Sequence, residues 1–349
     1  MKFAALGWYG HDNEGDERIG WCLKKFLESK GHTLDLIDPF TKDFFKINSY
    51  DFVFYGGGGL IHKSFNRCTY LLDQIKRPMG FVGISVEARD SSNELFILKM
   101  LDKAEFIHVR DDRSAKLLNY HDKVISCHDL TFLYPFEVRK EKVFKYNCGL
   151  NLRPWPYWNF SFKSKPDTYL RALHSKFSKI NFEKIYPLKK FSYDDIVDVL
   201  INEFDELVHV PFYCEKTHRK PDFLYGIDAY TVRNRKDVVS KSSFDILDMA
   251  GCEVFVGMRL HSMIFATQLG LPSLNLIYQP KNFGYLKRMD LLDIGIDIFK
   301  SKKYFLEKIA FLNNNKDHIV EKMLNYREVA HVQVNESLEK IYNFIRMSK

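Results

Sequence analysis

Short apolar runs recur through the first part of the chain at residues 2–7, 33–38, 51–56, 79–86, 105–110 and 124–128, separated by polar turns and segments of helical spacing. Runs of this length that do not alternate with polar residues predict strands buried on both faces, as in a parallel sheet covered by helices. After the first run, Ile19, Cys22, Leu23, Phe26 and Leu27 fall on one face of a helix from about Arg18 to Lys30. A second series of strands begins near residue 146 and includes 207–212, 252–257 and 273–278. Strands alternating with helices in two series predict an α/β chain of two Rossmann-like, doubly wound parallel-sheet domains. The charged stretch 134–142 reads as a linker, which sets a first domain at 1–135 and a second at 146–316. The helical period of the remainder, 317–349, predicts a C-terminal helix that packs back on the first domain.

Composition narrows the class. A length of 349 residues suits two domains, and 46% hydrophobic residues is ample for two cores. The first apolar run ends at once in a charged, glycine-rich loop, so no signal peptide is expected, and no apolar stretch reaches transmembrane length. A cytoplasmic protein is expected, placed if anywhere at the inner face of a membrane. Cysteines at 22, 68, 127, 148, 214 and 252 form no C-x-x-C pair and read as reduced thiols, not a zinc site. His121, His128, His209 and His218 likewise lack metal-ligand spacing. The net charge of +7 asks for an acidic partner, and much of the excess lies between Lys163 and Lys190. No nucleic-acid module accompanies it, so nucleic acid is not expected. An anionic membrane surface bearing a lipid-linked diphosphate saccharide fits, as does an ordinary solvated basic face.

The most informative segment is Cys252-Glu253-Val254-Phe255-Val256-Gly257-Met258-Arg259-Leu260-His261-Ser262. A strand reaches a glycine and releases an arginine, a histidine and a serine where Met263–Leu269 takes up helical spacing. Helix-start N–H groups lack partners and carry the positive end of the dipole, and Arg259 adds a planar fork suited to phosphate or carboxylate. His261 can move a proton near neutral pH. The plainer alternative is an Arg259 salt bridge and a hydrogen-bonded His261. Beyond Gly270 and Pro272 a further strand delivers Lys281, either to the same ligand or to solvent.

At the N-terminus, Trp8-Tyr9-Gly10-His11-Asp12-Asn13-Glu14-Gly15-Asp16-Glu17 follows the first strand. Its glycines do not match G-x-G-x-x-G, which disfavours a dinucleotide. Asn13, Asp16 and Glu17 either cap the helix or leave Asp16 as a base facing the crevice. Gly56-Gly57-Gly58-Gly59 follows the third strand with no G-K-[ST] after it, so Gly57 and Gly58 tighten a turn or touch a substrate. Arg110 reads as pairing with Asp111. Arg153 ends a strand and precedes Trp155 and Trp158, whose flat rings suit either a pyranose face or a local hydrophobic cluster.

Together these residues resemble the polysaccharide pyruvyl transferase family. The resemblance rests on Asn13-x-Gly15-Asp16, Gly56 to Gly59, Val109-Arg110-Asp111 with Ser114, and His128-Asp129 with Phe132-Leu133. It continues through Asn151-Leu152-Arg153, Val210-Pro211-Phe212, Gly257-x-Arg259-Leu260-His261-Ser262 and Tyr278-x-x-Lys281. Gly83–Glu87 and the Trp-rich loop after Arg153 do not align with it. The resemblance implies a GT-B-like arrangement and transfer of pyruvate from phosphoenolpyruvate to a sugar of a surface or capsular glycan precursor, closing a cyclic ketal; the alternatives are a GT-B nucleotide-sugar glycosyltransferase and a non-catalytic glycan-binding protein. It implies a donor site of Arg153, Arg259, Lys281 and Ser262 in the second domain, with His261 as acid. Asp16 would be the acceptor base, and Asn13, Gly57, Gly58, Trp155 and Trp158 would meet the acceptor. Phosphoenolpyruvate would be a co-substrate, with no metal or organic cofactor required.

Overall fold

Phe3, Ala4, Ala5 and Leu6 are all fully buried, because β1 (Lys2–Leu6) has a strand on each side. The computed structural model describes residues 1–62, 65–140, 143–153, 193–214, 228–232, 235–298 and 300–347. These form two six-stranded sheets in which every described pairing is parallel. The fold class is therefore the α/β architecture of two doubly wound parallel sheets that the strand periodicity predicts. Residues Met1–Pro135 with Tyr326–Lys349 make one compact unit, and Phe136–Asn325 make the other.

The first sheet contains β1, β2 (Thr33–Ile37), β3 (Phe52–Ile61), β4 (Met79–Val86), β5 (Ala104–Val109) and β6 (Val124–Ser126), in the order β2-β1-β3-β4-β5-β6. The chain steps outward from β1 to β2 and then returns to β3 on the other side. Such a reversal opens a crevice at the carboxyl ends of β1 and β3. Phe54, Phe81, Phe96 and Phe132 are buried in this unit.

Three expectations are corrected here. The helix after β1 starts at Glu14, not near Arg18, because Asn13 takes extended backbone and Glu14, Asp16 and Glu17 place negative charge at the positive end of the dipole. The glycine cluster is not a turn after β3 but part of it. A Cβ on Gly56 would strike the Val82 carbonyl of β4, and Gly57 and Gly58 have φ of +99° and +86°, so only glycine lets the strand pass with its register shift. Arg110 pairs with Asp129 at 2.8 Å rather than with Asp111, which accepts from the N–H and hydroxyl of Ser114 and so caps the next helix.

The second sheet contains β7 (Tyr146–Asn151), β8 (Leu207–His209), β9 (Val239–Ser240), β10 (Cys252–Gly257), β11 (Ser273–Ile277) and β12 (Gly295–Asp297). Its order is β12-β11-β10-β7-β8-β9. The chain moves outward from β7 to β9, then restarts at β10 on the other side of β7, so the reversal lies between β7 and β10. The helix Leu260–Leu269 is buried over its whole length, its polar residues His261, Ser262, Thr267 and Gln268 included. It stops where the sequence places Gly270, in left-handed conformation, with Leu271 N–H returning to the Ala266 carbonyl at 2.9 Å.

The long helix Lys316–Met347 gives its residues from Tyr326 onward to the first unit. There Tyr326 and Gln333 meet His128 at 2.9 and 2.7 Å, and Glu339 pairs with Lys30. Among the described residues no helix is long and apolar enough to cross a membrane. The six cysteines are all buried and outside any disulfide.

Candidate functional site

The register of the second sheet aligns Gly257, at the end of β10, with Asn151, at the end of β7. Arg259 and Arg153 therefore leave adjacent strands at the chain reversal, where open parallel sheets bind ligands. Asn151 is fully buried and holds the two ends together. Its carbonyl accepts the Met258 N–H at 3.0 Å, and its side-chain oxygen accepts the Arg259 N–H at 3.1 Å. Gly257 is needed for close approach, since a Cβ there would lie 2.5 Å from the Ser262 hydroxyl oxygen.

Arg259 caps the helix Leu260–Leu269, and no acidic residue stands in that helix's first turn. The helix Pro280–Arg288 at the end of β11 also lacks one and carries Lys281 instead. Cations at the positive ends of two helices are unfavourable on their own, and the arrangement makes sense as a receptor for an anion. Asn282, fully buried, donates to the Met258 carbonyl at 3.1 Å, pinning the turn that carries Lys281 beside the turn that carries Arg259.

Tyr278 is the point on which the cations converge. Its hydroxyl accepts from Arg153 Nη1 at 3.1 Å, and the Arg153 guanidinium carbon lies 5.3 Å from its ring centroid. Burial alone would raise the pKa of this phenol, but the charges of Arg153, Lys281 and Arg259 outweigh burial and bring it below the ordinary value.

Arg259 is braced from the other side. Asp228, with no exposed side-chain surface, accepts from Arg259 Nε at 2.8 Å through both oxygens and from Nη2 at 2.7 Å. It also accepts from Asn151 Nδ2 at 3.0 Å and from the Phe212 N–H at 2.8 Å. Burial opposes the Arg259 charge, and the Asp228 carboxylate more than compensates, so the pKa of Arg259 lies above its usual value. The ring of Tyr213 lies 5.4 Å from the Arg259 guanidinium carbon. The salt bridge that the sequence offers as the plainer account of Arg259 is thus present, with Asp228 as the partner.

His261 lies one residue into the helix, mostly buried, its ring 6.1 Å from Phe265 one turn on. The Ser262 hydroxyl, fully buried, donates to the Arg259 carbonyl at 2.7 Å and so serves the helix start. Beneath the site the Leu152 N–H donates to His209 Nε2 at 3.3 Å, and burial drives the His209 pKa down to about 4.

In the first unit the remaining described candidates gather at the β1/β3 reversal. Asn13 Nδ2 donates to Asp16 Oδ2 at 2.6 Å, and the other Asp16 oxygen lies against Gly58, where a Cβ would collide with it. Gly57 faces Tyr9 and Ile19, and the Tyr9 hydroxyl donates to the Gly56 carbonyl at 2.6 Å. Glu17 accepts the Gly10 and His11 N–H groups at 2.6 and 3.0 Å, which fixes the loop. Glu14 stands at the helix start with its pKa raised to about 7, first by burial and then by Glu17 and Asp12. Trp155 and Trp158 lie outside the described residues. Among the described residues no group of three or more His, Cys, Asp or Glu side chains is placed to hold a metal ion.

Asp228, Tyr278, Asn151 and Asn282 are the site residues to which the sequence reading gives no role. Asn151 and Tyr278 sit inside stretches that carry the family resemblance, whereas a lone aspartate at 228 has no local signature at all.

A two-sheet α/β chain with Arg153, Arg259 and Lys281 at strand ends of its second sheet is the class these features define. The family model for polysaccharide pyruvyl transferase matches residues 13–280, and the chain belongs to that family. A comparison with functionally curated proteins found no match. Among solved structures the chain is similar to HepE from Anabaena in complex with UDP and glucose, at 9% identity and a TM-score of 0.59, covering 98% of this chain and 99% of that one. It is also similar to a glycosyltransferase from Rickettsia africae, at 12% identity and a TM-score of 0.53, over 100% and 99% of the two chains. A third is the UDP-GlcNAc 2-epimerase of Methanocaldococcus jannaschii, at 10% identity and a TM-score of 0.51, over 89% and 92%. At such identities the likeness is one of fold: two Rossmann-like sheets of the GT-B type with a C-terminal helix.

Proposed function

We propose that this transferase moves pyruvate from phosphoenolpyruvate to two hydroxyls of one sugar, closing a cyclic ketal and releasing phosphate. The observation that carries the reading is that Arg153 and Arg259 leave adjacent strand ends, with Arg259 and Lys281 at two helix starts free of acidic residues. Phosphoenolpyruvate presents a phosphate and a carboxylate on three carbons, and such a donor needs several cations in a small space.

The donor is an enol phosphate, so C3 gains a proton before C2 becomes electrophilic. His261 supplies that proton, and the arginines and Lys281 hold the two anionic groups. A sugar hydroxyl then attacks C2 and loses its proton, giving a tetrahedral phospho-ketal. The C2–O bond to phosphate breaks, a second hydroxyl attacks C2 and loses its proton, and the ketal closes. In this scheme Asp16, oriented by Asn13, is the base for the acceptor hydroxyl, and β3 at Gly57 and Gly58 meets the sugar. The scheme calls for no metal or organic cofactor. The net charge of +7 supports an acceptor that itself carries phosphate, presented at an anionic membrane face as a precursor of a surface or capsular glycan.

Incubation with phosphoenolpyruvate and candidate saccharides, read by mass spectrometry, should give a product heavier by one pyruvate ketal together with free phosphate. Thermal stabilisation by a UDP-sugar and none by phosphoenolpyruvate would overturn the reading.

A further inference from the structure

The Asp228 carboxylate touches both strand ends at the reversal of the second sheet. It takes the Nε/Nη2 edge of Arg259, the side-chain amide of Asn151 and the Phe212 N–H. Asn151 in turn takes the Arg259 N–H through Oδ1, so one buried anion fixes the side chain of Arg259 directly and its backbone through a single intermediate. Arg153 leaves the same strand two residues after Asn151. We infer that Asp228 is the positioning residue of the anion site, acting through Arg259 and resting on the reading that this site holds phosphoenolpyruvate.

The physical argument has three parts. A long, flexible arginine side chain loses rotamer entropy on gripping a ligand. Asp228 removes that freedom before the ligand arrives, and preorganisation of this kind appears as affinity. The two-point contact uses one edge of a planar guanidinium, a geometry lysine lacks, which accounts for arginine at position 259. Finally, Asp228 offsets the charge of Arg259, which limits its repulsion with Arg153 on the adjacent strand end.

The test is calorimetric titration of phosphoenolpyruvate into the full chain, which needs no acceptor. Asp228→Asn should weaken binding about tenfold or more at unchanged stoichiometry. In an Arg259→Lys background the same change should add almost nothing, because Asp228 acts through Arg259. A purely structural Asp228 predicts the opposite pattern: a reduced fraction of binding-competent protein, an unchanged dissociation constant in the remainder, and additive losses in the double variant. If circular dichroism shows Asp228→Asn to be unfolded, Asp228→Glu takes its place. It keeps the charge but shifts the carboxylate by a methylene, so weaker binding supports the inference and unchanged binding overturns it. Wild-type protein that binds neither phosphoenolpyruvate nor inorganic phosphate sinks the functional reading and this inference together. Wild-type binding matched by the variant sinks the inference alone.

Discussion

Arg153 donates to the hydroxyl of Tyr278 at 3.1 Å while its guanidinium lies 5.3 Å from the centre of the same ring. With Lys281 and Arg259 also acting on it, this phenol ionises below the ordinary value of 10.0. A depressed folded pKa gives stability that is complete above pH 10 and is lost as pH falls through the folded value. Ultraviolet difference titration should show a phenol ionisation below pH 10 that is absent in Tyr278→Phe. Saturating phosphoenolpyruvate, by neutralising the cations, should move that ionisation upward. A titration curve unaffected by the Tyr278→Phe change would remove Tyr278 from the cationic cluster.

Arg259→Ala leaves Asp228 buried without its partner. Breaking a buried pair in this way costs about 3–5 kcal/mol, so the variant should lose stability in urea as well as all stabilisation by phosphoenolpyruvate. Arg259→Lys separates the two effects, because it keeps a positive charge beside Asp228 while losing the fork. It should fold better than Arg259→Ala and still bind the donor poorly. Wild-type donor binding in both variants would place the anion site elsewhere.

His261→Gln tests proton delivery. The glutamine keeps a polar group at the helix start but cannot protonate C3, so donor affinity should stay within about a few-fold while turnover drops on the order of a hundredfold or more. Equal loss in affinity and turnover would make His261 a donor ligand rather than an acid.

Acid stability tests the support beneath the site. Burial holds His209 and His108 near pKa 4, against an ordinary 6.5. Between those values the unfolded chain binds protons that the folded chain does not, so stability should fall as pH drops from about 6.5 to about 4. His209→Gln should flatten part of that slope in thermal melts recorded across the window. An unchanged slope would mean that His209 titrates normally in the folded protein.

Much of the fold is legible locally. Buried strands such as Phe3–Leu6 and Val254–Val256 are apolar on both faces because neighbours and helices cover them, and that requirement is written directly in residue order. Gly270 and Pro272 stop the helix where they stand because one takes left-handed backbone and the other cannot continue a helix. The glycine cluster misleads because successive glycines suit a turn and a crowded strand equally, and only the Val82 carbonyl of β4 decides which. Arg110 misleads for a similar reason, since Asp111 is adjacent in sequence but Asp129 is adjacent in space.

By itself the sequence determined the α/β class, the two series of strands, the helix stop at Gly270 and the cationic character of the turns at Arg153, Arg259 and Lys281. These follow from periodicity, turn chemistry and charge, which act over a few residues. Only the tertiary structure decided that Asp228 grips Arg259, that Asn151 and Asn282 pin neighbouring turns together, and that Arg153 lies on Tyr278. Those relations depend on which strands lie side by side at a chain reversal. That is set by how buried faces pack across more than a hundred residues, a distance at which local pattern carries no information.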